Sequence, residues 1–275
     1  MDQNKVRLIG NTQWAKGVNG TGNIMAYCAR VSNPSNQGNW QTEGKLLSYC
    51  ANKEHWSVFE MSNVIMEIET TRDIARQILR HRSFHFQEFS QRYAEPGKEL
   101  GMVTREARMQ DAKNRQASNP TDNMGLRGAF IELQKSVQRA SQSAYDWAVA
   151  NGIAKEQSRA VMPEGMTMSR MYMNGTVRDW YHFCRVRRGN GAQLECQDVA
   201  NKAWAILTEL YPFLSEVEHR QMEDQVNATV VAALQDKVAE LQAKLARYHE
   251  RYGALEKTYK SPVYNSDLEK HINDD

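Results

Sequence analysis

The densest concentration of reactive side chains lies at residues 80–93, RHRSFHFQEFSQRY. These fourteen residues include three arginines, two histidines and a glutamate. Arginine can hold phosphate or carboxylate through two parallel N–H donors, and it does not lose its charge. A run of charges usually forms a solvated surface, but Phe84, Phe86, Phe89 and Tyr93 alternate with this one and are expected to be buried. The pattern therefore predicts a cleft that binds anionic compounds.

The segment before this stretch predicts the helix that positions it. Ile74, Ala75, Ile78 and Leu79 have the spacing of an apolar helical stripe. Arg80 follows at the polar end of that helix. We therefore expect the arginines to converge where a helix gives way to an extended or looped segment.

A second basic cluster occupies residues 178–188. Trp180, Phe183 and Val186 recur every third residue, which predicts a helix with one buried side, and His182 falls on or near the other side. Together the two clusters could clamp a phosphorylated ring compound, because arginine binds phosphate and aromatic faces stack on rings.

Periodicity elsewhere predicts both strands and helices. Val64, Met66 and Ile68 alternate with polar residues, which predicts a half-buried strand. Residues 126–151 place apolar side chains at three- and four-residue steps, which predicts a core helix. Residues 97–125 are polar and predict a loop or exposed helix that could form a lid.

From about residue 220 the pattern changes to a heptad repeat with Glu, Lys, Gln and Arg between the stripe positions. It predicts one long helix that packs against another helix, in this chain or in a partner. We therefore divide the chain into a domain over residues 1–218 and a helical, coiled-coil-like extension over residues 219–275. The stripe consists of Asn227, Val231, Leu234, Val238, Leu241, Leu245, Tyr248, Tyr252, Leu255 and Tyr259.

Composition narrows the function classes. With 275 residues and 41% hydrophobic content the chain can bury a sizeable core, and a formal charge of +2 argues against a general nucleic-acid coat. Cys28, Cys50, Cys184 and Cys196 show no Cys-x-x-Cys spacing, so we expect reduced thiols in a cytoplasmic protein and no metal site. No stretch approaches the roughly 18 apolar residues of a membrane span, which predicts a soluble protein.

The central stretch resembles the signature of the flavin-dependent thymidylate synthases. Arg80-His81-Arg82 is followed after seven residues by Ser90 and then by Arg92-Tyr93. The resemblance covers roughly residues 24–215 of the chain. Other segments that resemble the family, in the right order, are residues 29–32, 55–60, 156–163 and 182–195.

This resemblance implies conversion of dUMP to dTMP, with methylenetetrahydrofolate as carbon donor and FAD reduced by NADPH. The alternative class of thymidylate synthase uses a cysteine in a Pro-Cys-His setting, which none of the four cysteines here has. No enzyme cysteine nucleophile is therefore expected. The resemblance also implies an α+β fold, the thymidylate synthase-complementing protein fold, in which long helices flank a small antiparallel sheet. It further implies a homotetramer whose sites draw on several subunits.

The resemblance also implies roles for individual residues. Arg187 would be the catalytic arginine, a fixed cation that stabilises charge developing on the uracil ring, although Arg185 and Arg188 lie close by in the sequence. Ser90 would act with it by positioning the nucleotide near the flavin. The implied FAD contacts are His55, Ser57, Arg80, His81, Arg82, Glu88, Arg178 and His182. The implied dUMP contacts are Gln77, Arg80, Glu88, Ser90, Arg92, Arg187 and, from a neighbouring subunit, Arg159.

Three positions depart from the family pattern. Met61 stands where histidine is usual, His85 where serine is common, and Gln87 where asparagine is common. Two other functions compete with catalysis. One is a nucleic-acid-binding module, which the near-neutral charge disfavours. The other is a coiled-coil adaptor with a non-catalytic N-terminal domain, which the heptad stripe favours and residues 80–93 do not.

Overall fold

A computed structural model describes residues 3–16, 23–189 and 191–259 of the chain. It divides into two compact units, Met1–Val217 and Glu218–Asp275. The sequence predicts two domains that meet between residues 218 and 219. Whether the two compact units are separate functional domains stays a prediction. The part of the predicted extension beyond residue 259 lies outside the described residues.

The first unit mixes helices with a small antiparallel sheet, which confirms the α+β fold class. A further long helix runs into the second unit. In chain order the elements are β1 (Lys5–Asn11), α1 (Ile24–Ala29), α2 (Glu43–Asn52), β2 (Asn63–Thr71), α3 (Arg72–Ile78), β3 (His85–Glu88), α4 (Pro96–Glu99), β4 (Arg108–Gln110), β5 (Ser118–Pro120), α5 (Met124–Ala150), α6 (Lys155–Ser158), β6 (Met168–Thr176), α7 (Val177–Arg187), α8 (Leu194–Leu210) and α9 (Phe213–Tyr259).

The four-stranded sheet has the order β1-β2-β6-β3. β2 pairs with β6 along its whole length, and β3 lies at the edge, with His85 opposite Asn174 and Glu88 opposite Met171. The central stretch of the sequence therefore runs along one edge of the sheet, and its two ends lie near opposite ends of β6.

The strand predicted at Val64, Met66 and Ile68 is β2, and all three side chains are fully buried. On the opposite face Glu67 is buried as well, and it forms an ion pair with Arg7 at 2.7 Å. The prediction of a half-buried strand was therefore wrong for Glu67. Sequence alternation detects two faces but not the arginine that covers the polar one.

Helix α5 differs from the core helix predicted for residues 126–151. Its side chains Leu133 and Trp147 are 65% and 64% exposed, and Phe130 and Val137 are exposed as well. The buried side of α5 carries Gln134, whose amide exchanges two hydrogen bonds of 2.8 Å with the backbone of Arg105. The apolar stripe thus faces outward within a single chain.

Residues 97–125 contain the short helix α4 and the hairpin of β4 and β5. Arg105 donates to Thr71 at 2.7 Å and to Asp73 at 2.8 Å. Arg108 donates to Glu195 at 2.6 Å. Arginine hydrogen bonds therefore attach the segment to the end of β2, to α3 and to α8. The prediction of a loop or exposed helix did not include these contacts or the hairpin. The segment's role as a lid stays a prediction.

Candidate active site

Two helices place the basic residues. α3 buries Ile74, Ala75 and Ile78, as its stripe predicts, and leaves Arg80 and Arg82 exposed just past its end. The turn is closed by a hydrogen bond from the backbone N–H of His81 to the carbonyl of Ile78, at 3.0 Å. This turn directs the chain from α3 into β3.

α7 begins directly after β6 with a capping box, in which Thr176 and Asp179 satisfy each other's backbone N–H groups. The helix buries Trp180 and Phe183, but Val186 is exposed, so the prediction of a buried stripe was wrong for that residue. Arg187, the last residue of α7, is thereby held on a helix anchored at both its start and its apolar face.

Arg187 meets the end of α3. Its Nε donates to Nε2 of His81 at 2.8 Å, and its Nη2 donates to the backbone carbonyl of Gln77 at 2.9 Å. The side-chain amide of Gln77 in turn donates to Oε1 of Gln193 at 2.9 Å. We call Gln77, His81, Arg187 and Gln193 the Arg187 cluster.

The neighbouring arginines point elsewhere. Arg188 donates to Asn201 at 2.9 Å and lies over the Trp204 ring at 4.9 Å, while Arg185 is exposed. Of the three arginines that lie close together in the sequence, Arg187 contacts the central stretch, through its hydrogen bond to His81.

Arg187 is half-buried, and its hydrogen-bond acceptors are uncharged. Burial, together with the charges of Arg187 and Arg80, lowers the pKa of His81 to about 4. His81 is therefore neutral near pH 7, as its role as acceptor from Arg187 requires. Both acceptors of Arg187 are uncharged, and within residues 3–16, 23–189 and 191–259 no carboxylate pairs with it. The positive charge of the guanidinium is therefore not offset by a paired anion in these ranges.

His81 also borders a cavity of about 480 Å³, which we call the Arg178 pocket. Arg178 forms an ion pair with Glu60 at its rim. The His182 ring lies 4.7 Å from the Trp56 ring, and burial together with the charges of Arg178 and Arg185 lowers the pKa of His182. The pocket is lined by Glu60, His81, Ser83, Arg178, Asp179, His182, Phe183 and Val186.

His55 and Ser57 are exposed, beside or within the short helical turn Trp56–Glu60 that also carries Glu60. The His55 ring packs edge-on against Tyr49, with ring centroids 6.3 Å apart. Phe84, in contrast, is buried against Trp180 at 5.0 Å. A Cβ at Gly175 would lie 2.5 Å from the Phe84 ring, so this glycine lets the central stretch approach β6 closely.

A different set of site residues lies beyond the other end of β3. Ser90 and Arg92 border an open cavity of about 390 Å³ with residues of α6. Arg92 forms an ion pair with Glu156 at 3.2 Å, and Nε of Arg159 donates to the backbone carbonyl of Glu156 at 3.3 Å. We call Ser90, Arg92, Glu156 and Arg159 the Ser90 group. Tyr93 beside it is 87% exposed, so the prediction that its ring is buried was wrong.

Glu88 ends β3 on the side of the Ser90 group. Its Oε1 accepts from Ser169 at 2.8 Å and from Arg72 at 3.4 Å. The four residues of β3 span about 13 Å, and they separate this end from Ser83 at the Arg178 pocket. Among the described residues, no contact joins the Ser90 group to the Arg187 cluster. The structure therefore sorts the predicted residues into two sets.

Sequence reasoning missed four residues as site partners: Trp56, Glu60, Glu156 and Gln193. All four lie inside segments that resemble the family, but the resemblance gave them no role. Their contacts needed the fold, because partners such as His182 for Trp56 and Arg92 for Glu156 are distant in the chain.

In the described ranges no three histidine, cysteine, aspartate or glutamate side chains are grouped to hold a metal ion. None of the helices in those ranges has the length and apolar character to traverse a bilayer.

The sequence matches a family model and is similar to named and probable enzymes from other organisms. A family model described as "Thymidylate synthase complementing protein" matches residues 15–213. The probable flavin-dependent thymidylate synthase of Paramecium bursaria Chlorella virus 1 is 43% identical over 204 residues, which cover 73% of this chain and 92% of that protein. The flavin-dependent thymidylate synthase of Synechocystis sp. is 43% identical over 189 residues, covering 69% and 85%.

A solved structure shares the fold. The UMP/dUMP methylase PolB from Streptomyces cacaoi, bound with 5-Br dUMP, matches with a TM-score of 0.66 and 22% identity. The match covers 78% of this chain and 93% of that one.

Proposed function

The chain belongs to the family of the flavin-dependent thymidylate synthases, and we propose that it methylates dUMP to dTMP with Arg187 as the catalytic cation. The observation that carries this role is a half-buried guanidinium with uncharged acceptors beside the Arg178 pocket. The comparisons give no support to the nucleic-acid-binding or adaptor alternatives.

In this proposal Arg187 takes over the activation of the uracil ring, which other thymidylate synthases achieve with a cysteine thiolate. The C5 carbon of uracil becomes electron-rich when N3 loses its proton and negative charge spreads over the ring. A fixed positive charge stabilises that charge as it develops, and it needs no reorganisation during the reaction. Because no carboxylate in the described ranges pairs with Arg187, its positive field is available to the substrate.

The cysteines support a route without an enzyme thiolate. Cys50, Cys184 and Cys196 are buried, and burial raises the pKa of the Cys50 and Cys196 thiols. A buried thiol with a raised pKa is a poor nucleophile, because the thiolate is the reactive form.

The Arg178 pocket offers a donor set that fits a flavin. Arg178 can bind an anionic phosphate, and the neutral rings of His81 and His182 in the pocket lining can pack against an aromatic ring system. Trp56 packs against the His182 ring. When bound, a flavin supplies the redox and one-carbon transfer chemistry, and the protein supplies orientation and charge. We propose FAD, reduced by NADPH, with methylenetetrahydrofolate as the carbon donor. Further proposed FAD contacts are His55, Ser57, Arg80, Arg82 and Glu88.

The Ser90 group suits the nucleotide phosphate. Arg92 is 66% exposed and its partner Glu156 is 49% exposed. Surface ion pairs of this kind contribute about 0–1 kcal/mol, so a phosphate can replace the carboxylate. Ser90 has no adjacent histidine base in the sequence, and we assign it to hydrogen bonding with the nucleotide.

We propose a homotetramer in which each nucleotide is held by the Arg187 cluster of one subunit and the Ser90 group of another. The separation of the two sets by β3 supports this arrangement. The outward apolar stripe of α5 supports assembly, because contiguous exposed apolar surfaces mark interaction sites. Gln77, Arg80 and Glu88 would complete the dUMP contacts.

The function is tested by the absorbance spectrum of the purified full chain, followed by titration with dUMP and an assay for dTMP. We expect a yellow protein that binds dUMP and forms dTMP only with a reductant and methylenetetrahydrofolate. A tetrameric sample that is colourless and binds neither FAD nor dUMP would overturn the proposal. Arg188→Ala serves as the matched control for Arg187 variants, since Arg188 packs on Trp204 instead.

A further inference from the structure

Helix α9 carries an apolar surface that the catalytic family does not account for. Every residue from 222 to 252 is exposed, and the stripe side chains between Val231 and Tyr252 are 51–73% exposed. This segment lies outside residues 15–213, which match the family model. Long helices in water depend mainly on packing of an apolar face for their stability. The stripe therefore needs a covering partner.

The spacing of the stripe specifies the kind of partner. Strict alternation of four- and three-residue steps gives a repeat of seven, and such a repeat imposes a left-handed supercoil with another helix. In heptad notation Val231 and Val238 occupy a positions, while Leu234 and Leu241 occupy d positions. Among parallel coiled coils, valine at a with leucine at d favours two strands.

Charge along the flanks selects the direction. The g positions hold Lys237, Lys244 and Arg251, and the e positions beside them hold Gln242 and His249. An antiparallel pair would place these g cations opposite one another, which is repulsive. A parallel pair places Lys237 opposite Gln242 and Lys244 opposite His249, so these lysines do not face another lysine or arginine across the pair.

The lysines already have partners within their own helix. Glu240, at a c position, accepts from Lys237 and from Lys244, each at 2.7 Å. The hydrogen bonds from Lys237 and Lys244 lower the pKa of Glu240. Glu240 is therefore paired within its own helix. The e and g positions between residues 227 and 252 hold no acidic side chain that could pair with a basic partner helix.

We propose that residues 227–252 of two copies of this chain form a parallel, in-register, two-stranded coiled coil. A second copy is the occupant because its stripe matches itself layer by layer in this register, and its flanks bring no two lysine or arginine side chains opposite each other. The segment is about 39 Å long at 1.5 Å per residue, which gives between three and four heptads, the length at which such repeats support a coiled coil. The proposal is independent of the catalytic function.

Cysteine cross-linking of the full chain tests register and direction. In a parallel pair each d residue faces its own copy within disulfide reach. Leu234→Cys and Tyr248→Cys, purified and oxidised separately, should therefore each form covalent dimers. Ala243→Cys, at an outward f position, is the matched control and should give at least about tenfold less. All three variants keep the same native cysteines.

The alternatives give different results. An antiparallel pair sets each d residue against an a residue of the other copy. With Val238 opposite Leu241 it would cross-link only a mixture of the Leu234→Cys and Leu245→Cys proteins, and that result overturns the proposal. Dimer yields no higher than those of Ala243→Cys overturn it as well, and would indicate an unrelated partner.

Hydrogen exchange supplies a second measurement that does not depend on oxidation. We expect the amides of residues 227–252 to be protected in the wild-type protein and to exchange at least about tenfold faster in Leu241→Asp. Residues 23–189 should be unchanged, and Ala243→Asp should behave like the wild type. Equal exchange in the wild type and in Leu241→Asp would contradict the proposal.

Discussion

The Arg187 cluster and the Ser90 group hold their arginines in opposite ways. Arg187 ends a helix with a buried apolar face, and it is bound to an imidazole and a carbonyl that carry no charge. Arg92 lies on an exposed loop and is paired with an exposed carboxylate. The comparison supports the proposed arrangement, in which a single chain preorganises Arg187 for chemistry, while substrate and a neighbouring subunit complete the exposed Ser90 group.

The largest expected effect is on Arg187. Arg187→Ala should reduce turnover roughly 100- to 1000-fold, as is typical when one preorganised stabilising group is removed. FAD binding, read from the absorbance spectrum, should persist. A variant that retains a near-normal rate would show that the preorganised cation is not the catalytic one. Arg188→Ala is expected to stay near wild-type turnover.

Next in size are the arginines of the Ser90 group. Arg92→Ala or Arg159→Ala should weaken dUMP binding by about ten- to a hundredfold, because hydrogen bonds to charged groups contribute about 1.5–3 kcal/mol. Calorimetric titration with dUMP measures the change, and tetramer assembly should be intact. Unchanged dUMP affinity in an Arg159→Ala tetramer would remove this residue from the site.

Mixed assemblies sharpen the comparison further. If one site joins Arg187 of one subunit to Arg159 of another, tetramers reassembled from Arg187→Ala and Arg159→Ala chains should recover part of the activity. Each homotetramer should stay impaired. If both residues came from one chain, every site in the mixture would carry a defect and no activity would return.

A smaller effect concerns pH. The pKa of His81 is lowered to about 4, so the unfolded chain, with a pKa near 6.5, binds the proton more tightly. Stability contributed by neutral His81 is present above pH 6.5 and is lost as pH falls from there toward 4. The melting temperature should decline over that window, and His81→Asn should decline less. If the melting temperature declined equally with pH in the wild type and in His81→Asn, His81 would not be the cause of the acid sensitivity.

The smallest expected effect is at Glu156. Glu156→Gln removes the carboxylate that competes with phosphate for Arg92 and should tighten dUMP binding by up to about fivefold, since exposed ion pairs contribute about 0.2–1 kcal/mol. Weaker binding in Glu156→Gln would mean that the carboxylate positions Arg92 for the nucleotide. Glu132→Gln, which removes another exposed pair, is the control.

Part of the site followed from sequence alone. The stripe of α3 and the strand at β2 were predicted from spacing, and the order of the family segments gave the fold class and the reaction. These features are local, because periodicity reports which side chains share a face of a helix or strand.

Other features needed long-range packing. The α5 stripe has the periodicity of a core helix, yet within one chain its buried side carries Gln134, because the segment that contains Val103 and Arg105 lies against that side. Tyr93 was expected to be buried with the phenylalanines and is exposed.

The sequence by itself determined the family, the secondary structure around the arginines and the side chains available for chemistry. Only the tertiary structure decided that Arg187, and not Arg185 or Arg188, turns toward His81, and that β3 divides the site residues into two sets. The physical reason is that a side chain's partners lie far away in the chain, as Arg187 and Gln77 do. The spacing of residues along the chain determines which face of a helix or strand a side chain occupies. Which partner that side chain contacts depends on how the helices and strands pack together.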